Sequence, residues 1–440
     1  MVVTRLIGVV ALVLGSTGLA TAQTYSLVEA PQANDCARYT IKMQLSGEMV
    51  VVQEGRSQSL KLTASADHRF RERVLAVDKS GAPVKAGRLY DTAMTSISVD
   101  GTPAARSLRA ERRLTVAQRI NDSLVCYSPH GPLTREELEN VSEHFDTLAL
   151  TGLLPGREVK VGDTWKPTNG IAQGLCQFEA LVANELECKL DGIKDGAAIV
   201  AVSGKAKGIE LGASATVTVT ASMRFDLLKK RLVSLDWKQT DKRDQGPASP
   251  AVNAQATVLV EREVIDEPKE LSDVALVGVP QGMEVPAPLT MLTLRDVKGR
   301  FELSVAREWQ LVGHTDRHTV LRLMERGEFV AQVSVTPWEK VEAGQHTDGA
   351  KFRETMMASP GWTPEDVMQA GEVPNQPAGR YVFRMTARGT MGDAKVVQSF
   401  YLVANARGEQ AVVTFTLKQS QLSKLGARDQ ILVDGLEILK

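Results

Sequence analysis

Aromatic residues are scarce, at 5% of the 440 positions, and beyond the N-terminal leader no stretch stays apolar for the roughly 18 residues that a membrane helix needs. The nearest approach, Val274 to Leu294, is broken by Pro280, Pro286 and Pro288 and carries Glu284, so it reads as a linker. An excess of either charge is missing too: 52 basic residues face 53 acidic ones, which gives no global attraction for nucleic acid or anionic lipid. Basic runs interleaved with aromatic platforms are absent, which argues further against nucleic acid as a partner. Catalytic signatures are missing as well, with no G-x-S-x-G elbow, S-x-x-K, H-E-x-x-H or glycine-rich phosphate loop. The paired carboxylates Glu136-Glu137 and Asp266-Glu267 fall on a helix start and a linker. A hydrolase triad built from His68, His130 or His144 could assemble only in the fold, so the question of enzyme activity stays open at this level. No cofactor is implied.

The N-terminus carries the most specific signal. Arg5 supplies a positive start, Leu6 to Leu14 form an apolar stretch too short to span a bilayer, and Ala20, Thr21 and Ala22 make a small-x-small cleavage site. The expectation is a signal peptide over residues 1–22, a chain beginning at Gln23, and a periplasmic or extracellular location with no transmembrane anchor; a retained N-terminal anchor is the alternative. No cysteine follows the site, so no lipid anchor is expected there. In an oxidising compartment the four cysteines, Cys36, Cys126, Cys176 and Cys188, suggest two disulfides. Three pairings exist. Short spacing favours Cys176 with Cys188 across a hairpin, leaving Cys36 with Cys126, and the other two pairings remain open. No C-x-x-C occurs and only His130 lies near a cysteine, so no zinc site is expected.

Hydrophobic periodicity indicates a mainly β chain with an α+β part. Tyr39, Ile41, Met43 and Leu45 alternate with Thr40, Lys42 and Gln44, as on a half-buried strand. Similar strands are read at Leu60–Ala66, Phe70–Val77, Ser96–Val99, Leu108–Arg119 and Leu124–Tyr127, and again at Ala198–Val202, Ala215–Phe225, Arg231–Gln239 and Ala254–Val264. One helix interrupts them. Thr134 and Glu137 form a capping box, and Leu138, Val141, Phe145 and Leu148 follow at spacings of three or four. The expected organisation is a β-rich unit over residues 23–265, a linker over 266–298 and an α+β unit over 299–440. In the last unit Phe301, Leu303 and Val305 alternate, a helix covers Ala350 to Met357, and Leu425, Leu432, Leu436 and Leu439 suggest a closing helix.

Leu153-Leu154-Pro155-Gly156 followed by Val159-x-Val161-Gly162-Asp163-Thr164-Trp165, with Phe225-Asp226 and Arg231-Leu232-Val233, resembles a family of uncharacterised secreted bacterial β-rich proteins. That resemblance implies a curved antiparallel sheet, or half-barrel, around a helix, similar in outline to periplasmic lipoprotein carriers. The element order after Gly299 resembles PsbP/DcrB-like domains, which implies a small α/β/α sandwich acting as an accessory or binding module. Neither resemblance brings an activity with it.

Three constellations are candidate sites. Leu138, Phe145, Leu148 and Leu153 would line an apolar ligand site between helix and sheet; if they fill that gap, a protein partner is expected instead. Arg69, Arg71 and Arg73 alternate on one strand, and Arg106, Arg109, Arg112, Arg113 and Arg119 lie on or near another. Together they offer an anion patch that Asp67, Glu72, Glu111 and Asp122 would partly neutralise. His314-x-Asp316-x-His318 has the residue types of a metal site but falls on a hairpin tip, where exposed polar side chains are ordinary, so no metal is expected. The functional expectation is an exported, non-enzymatic envelope protein that binds a lipid or other apolar ligand, or an envelope protein; the alternative is an exported hydrolase.

Overall fold

The structure, a computed structural model, describes residues 23–53, 56–120, 123–142, 145–247, 249–325 and 328–439. The signal segment, Asp122 and His144 lie outside these residues. The N-terminal unit contains β1 (Thr24–Ser26), β2 (Cys36–Gln53), β3 (Arg56–Val77), β4 (Pro83–Val99), β5 (Thr102–Ser107), β6 (Leu114–Ile120), β7 (Ser123–Tyr127), α1 (Arg135–Ser142), β8 (Glu158–Lys160), β9 (Thr164–Trp165), α2 (Asn169–Leu175), β10 (Ala180–Asn184), β11 (Glu187–Lys194), β12 (Ala197–Glu210), β13 (Ala213–Asp226), β14 (Arg231–Arg243) and β15 (Ala251–Val264). Thirteen of the strands form one antiparallel sheet in the order β7-β6-β4-β3-β2-β15-β14-β13-β12-β11-β9, with β5 beside β4 and β10 beside β12.

Alternation decides which face is inside. On β13 Val217, Val219, Ala221, Met223 and Phe225 point inward while Thr216, Thr218, Thr220 and Ser222 stay outside, as expected for an antiparallel sheet with one covered face. The sheet is open and it curls. Arg119 on β6 donates to Gly170 O of α2 at 2.9 Å, and α2 packs on β10 at the far flank. Laid flat, those flanks would be about 38 Å apart at 4.8 Å per strand, so one arginine and one short helix can join them only across a concave sheet.

The capping box forms: Thr134 N donates to Glu137 Oε2 at 3.0 Å and Glu137 N to Thr134 Oγ1 at 3.2 Å. The apolar period then continues through a change of helix type. Asp146 accepts from Leu148 N at 3.0 Å and starts a tight turn over Thr147–Leu153 that keeps Leu148, Leu150 and Leu153 buried.

Residues 266–291 are strapped across the convex side. Leu271, Leu276 and Val279 pack on Leu114, Val116 and Tyr127, Arg73 donates to Leu271 O at 2.7 Å, and Lys85 donates to Gly282 O at 2.9 Å. The strap ends in a short turn of helix, α3 (Ala287–Thr290), and leads into the C-terminal unit. That unit comprises β16 (Leu292–Arg295), β17 (Phe301–Val305), β18 (Trp309–His314), β19 (Thr319–Glu325), β20 (Glu328–Trp338), α4 (Gly349–Met357), β21 (Thr363–Glu372), β22 (Arg380–Met391), β23 (Ala394–Asn405), β24 (Gln410–Lys418), α5 (Leu422–Leu425), α6 (Arg428–Asp434) and β25 (Leu436–Ile438).

A seven-stranded antiparallel sheet, β18-β19-β20-β24-β23-β22-β21, is covered on one face by α4 through Phe352 and Met356. Its other face meets Leu432 and Val433 of α6 and the three-stranded sheet β16-β17-β25, which completes an α/β/α sandwich. The leucine period at the C-terminus is not one helix. Gly435 passes against Ser304 O so closely that a Cβ would stand 2.3 Å from it, and the chain turns there into β25, where Leu436 pairs with Leu303.

The expected disulfides are absent: all four cysteines are buried, free thiols. Cys36 on β2 and Cys126 on β7 are four strands apart, roughly 19 Å along the sheet, whereas a disulfide needs Cα atoms within about 7 Å. Cys188 pairs with Val202 and Ala180 with Ile209, so β10 and β11 lie end to end along β12 and do not form the hairpin that would bring Cys176 to Cys188.

Candidate functional site

One end of the concave face is filled. Leu138, Phe145, Leu148 and Leu153 are all under 9% exposed and belong to the core, with Phe145 edge-on to Trp237 at 5.6 Å. The polar groups beneath them are engaged. Asn140 accepts from Thr95 Oγ1 at 2.6 Å and donates to Ala93 O at 3.0 Å, while Arg88 donates to Glu72 at 2.8 Å and to Thr147 Oγ1 at 2.7 Å. Arg119 pairs with Asp146. These contacts hold the helices onto the sheet.

The other end differs. Past Thr95 and Ala66, β2, β3 and β4 continue with inward Leu45, Met49, Leu60, Leu62, Ile97 and Val99, all only half-buried. Their outward neighbours Gln44, Glu48, Ser59 and Lys61 are polar and exposed, so the face the core would use carries on beyond the core. Glycine and alanine continue the row: Leu62 pairs with Gly47, Gly47 with Ala254, and Ala254 with Asp241. The C-terminal unit borders this end, where Arg322 donates to Pro247 O in the β14–β15 loop.

A polar ladder closes that row on β14. Trp237 Nε1 donates to Gln239 Oε1 at 2.6 Å, and Gln239 Nε2 donates to both Asp241 oxygens at 2.9 Å. Arg243, next on the same face, pairs with Glu210 of β12. Asp241 stands between inward Ala254 and Val217, and burial pushes its carboxyl up to about 6; the Gln239 bond opposes this, Glu210 adds to it and Arg243 opposes it. The sequence reading missed this ladder. Its signal is W-x-Q-x-D-x-R at alternate positions, a strand whose inward series turns from apolar to polar.

The arginine candidates do not make one patch. Arg69 and Arg71 lie on the convex face, Arg69 paired with Asp67 at 3.4 Å and Arg71 with Asp91 and Glu270 at 3.0 and 3.2 Å. Arg109 instead meets Glu137 of α1 through two 2.7 Å bonds, and Arg113 is exposed at the turn before β6. At the hairpin tip His314 bonds Thr319 Oγ1 at 3.0 Å and Asp316 pairs with Lys298 at 3.3 Å; among the described residues no three metal-ligating side chains converge. The buried thiols are far from reactive, Cys176 and Cys188 each being raised to about 12 by burial.

The C-terminal unit has an open pocket of about 590 Å³ between α4 and β21–β22. His346 stacks on Tyr381 at 3.5 Å there, and Asp348 caps α4 by accepting from Ala350 N and Lys351 N. Arg353, Glu354 and Glu372 complete its charged rim, and its lining holds no serine, cysteine or lysine.

No family model matches the chain, and no curated protein matches it. Among solved structures, it is similar over 36% of its length to cyanobacterial PsbP from Synechocystis, at 16% identity with 96% of that chain covered and a TM-score of 0.27. A likeness to the Ran-binding protein Mog1p of Saccharomyces cerevisiae covers 34% of this chain and 95% of that one, at 14% identity and a TM-score of 0.27. A DUF1329 family protein from Desulfovibrio piger is matched over 55% of this chain and 89% of its own, at 9% identity and a TM-score of 0.13. These likenesses are too distant to carry a functional argument.

Proposed function

We propose that this chain is an exported, non-enzymatic binding protein of the cell envelope whose curled N-terminal sheet holds an apolar ligand at the open end of its concave face. The observation that supports this is the run of inward but only half-buried Leu45, Met49, Leu60, Leu62, Ile97 and Val99 on β2, β3 and β4. An inward apolar surface bordered by a second unit is the usual setting of a ligand site. The signal-like leader supports export, and the buried ion pairs at the helices read as structural. The test is native mass spectrometry of the protein purified from its own compartment, followed by organic extraction. A stoichiometric apolar molecule, lost from a Leu62→Glu variant, is the expected result. Protein that is empty from that source and takes up no alkyl probe would overturn the reading.

A further inference from the structure

We infer that the hairpin tips at the filled end of the curled sheet form a docking surface for an anionic lipid bilayer, with Leu228 as the residue that inserts. The apex of the β13–β14 hairpin is Leu227-Leu228-Lys229-Lys230, and Leu228 is 91% exposed, more than any other large apolar side chain among the described residues. The turn fixes it there. Asp226 Oδ1 accepts from Leu228 N at 3.0 Å and from Lys229 N at 2.8 Å, and Lys230 closes the turn with a left-handed φ of 52°. A leucine held at such an apex, where asparagine, aspartate or glycine is usual, gains nothing from the fold itself.

Two neighbouring tips stand beside it. Leu227 N donates to Gly196 O of the β11–β12 turn at 3.2 Å, and Gly162 N of the β8–β9 turn donates to Leu190 O of β11 at 2.8 Å. These turns bring up Lys194, Lys160 and exposed Val161. Although charge balances over the whole chain, Lys160, Lys194, Lys229 and Lys230 are all exposed and, among the described residues, none is in an ion pair. Glu158, Asp163, Asp195 and Asp226 share these tips, but Asp163 and Asp226 turn back onto the amides of their own turns. The charges that flank Leu228 outward are therefore ammonium groups on long apolar stems, which can meet lipid phosphates while the leucine enters the acyl boundary. The entry of the chain supports the same orientation: Gln23, which follows the expected apolar leader, adjoins Thr24, and Thr24 pairs with Lys160. The half-buried apolar row lies at the other end of the strands, since the row of Leu62 crosses β14 at Asp241, far from Arg231 at the tip.

The experiment is co-sedimentation of the exported protein with vesicles of phosphatidylcholine, alone or with about a third phosphatidylglycerol. The mixed vesicles are expected to bind about tenfold more tightly than the neutral ones, a preference lost at about 1 M salt. Leu228→Asp should weaken binding to the mixed vesicles about tenfold, and Lys229→Glu with Lys230→Glu should abolish the preference. Val277→Asp, at an equally exposed apolar residue on the strap, should bind like the parent. All of these side chains are exposed, so none of the changes removes a buried contact. No binding to the mixed vesicles, or binding that survives Leu228→Asp or falls equally with Val277→Asp, overturns the inference.

Discussion

His68 faces inward on β3, 3% exposed and edge-on to Tyr90 at 6.0 Å. Burial pulls its imidazole down to about 4, against the opposing effects of the Asn140 bond and Asp67. Because the folded value lies below the ordinary one near 6.5, the neutral ring's contribution to stability is complete above about pH 6.5 and is lost as pH falls toward 4. Asp241 has the opposite sign. Its carboxyl is raised to about 6, so its favourable contribution is present below about pH 4 and is lost as pH rises through 6. Urea midpoints measured from pH 4 to 8 should separate the two. His68→Gln should flatten the loss on the acid side, and Asp241→Asn should gain stability over the parent above pH 6 and converge with it toward pH 4. A His68→Gln protein with the parent's acid slope would show that the unfolded chain, not the burial of this ring, sets that slope.

At the scale of elements, the strap over the convex face does more than its composition suggests. Three prolines and Glu284 between Val274 and Leu294 read as a linker, and Leu271 just before that stretch and Leu276 and Val279 within it are each under 7% exposed against β4, β6 and β7. Proline bars only regular pairing; it does not keep a segment from lying on an apolar face. Strands with strict alternation, such as β2, β13 and β15, were legible because one face is covered and the other wet. By contrast β21, ten residues at the edge of the sheet with no buried position, has no such period to read. The capping box was legible in full, since both of its bonds are local in sequence. The β14 ladder was not, because its meaning depends on which strands flank it, and register is a long-range property. Leu276→Ala should cost about 2–5 kcal/mol in urea unfolding if the strap is part of the fold. Cleavage by trypsin near Lys269 should speed up in the variant, and an unchanged midpoint would mean that the strap is a loose cover.

At the scale of the whole molecule, Arg307 and Arg135 fasten the units together on the α1 side, as Arg322 does at the β14–β15 loop. Arg307, at the end of β17, donates to Cys126 O of β7 at 2.6 Å and to Thr290 O at 2.7 Å, and burial lowers its guanidinium to about 10. Arg135 of α1 reaches back to the carbonyls of Arg307 and Trp309 at 3.0 and 2.8 Å, and Leu133 bridges Leu292 between the units. The two cores are therefore continuous through Leu133, Leu292 and Trp309, which argues for joint unfolding. Replacing Arg307 with Met comes close to its volume but removes the donor to the Cys126 and Thr290 carbonyls, at a cost of about 2–3 kcal/mol concentrated at the junction. Calorimetry should then show the single transition of the parent dividing in two, with the C-terminal sandwich and the curled sheet melting apart. A ligand that stabilises only the lower of the two transitions would identify the unit that holds it, because binding raises the stability of the folded state it binds and of nothing else. With an alkyl probe such as dodecanol, the transition that moves should be that of the N-terminal sheet; movement of the C-terminal transition would direct attention to the pocket beside His346 and Tyr381.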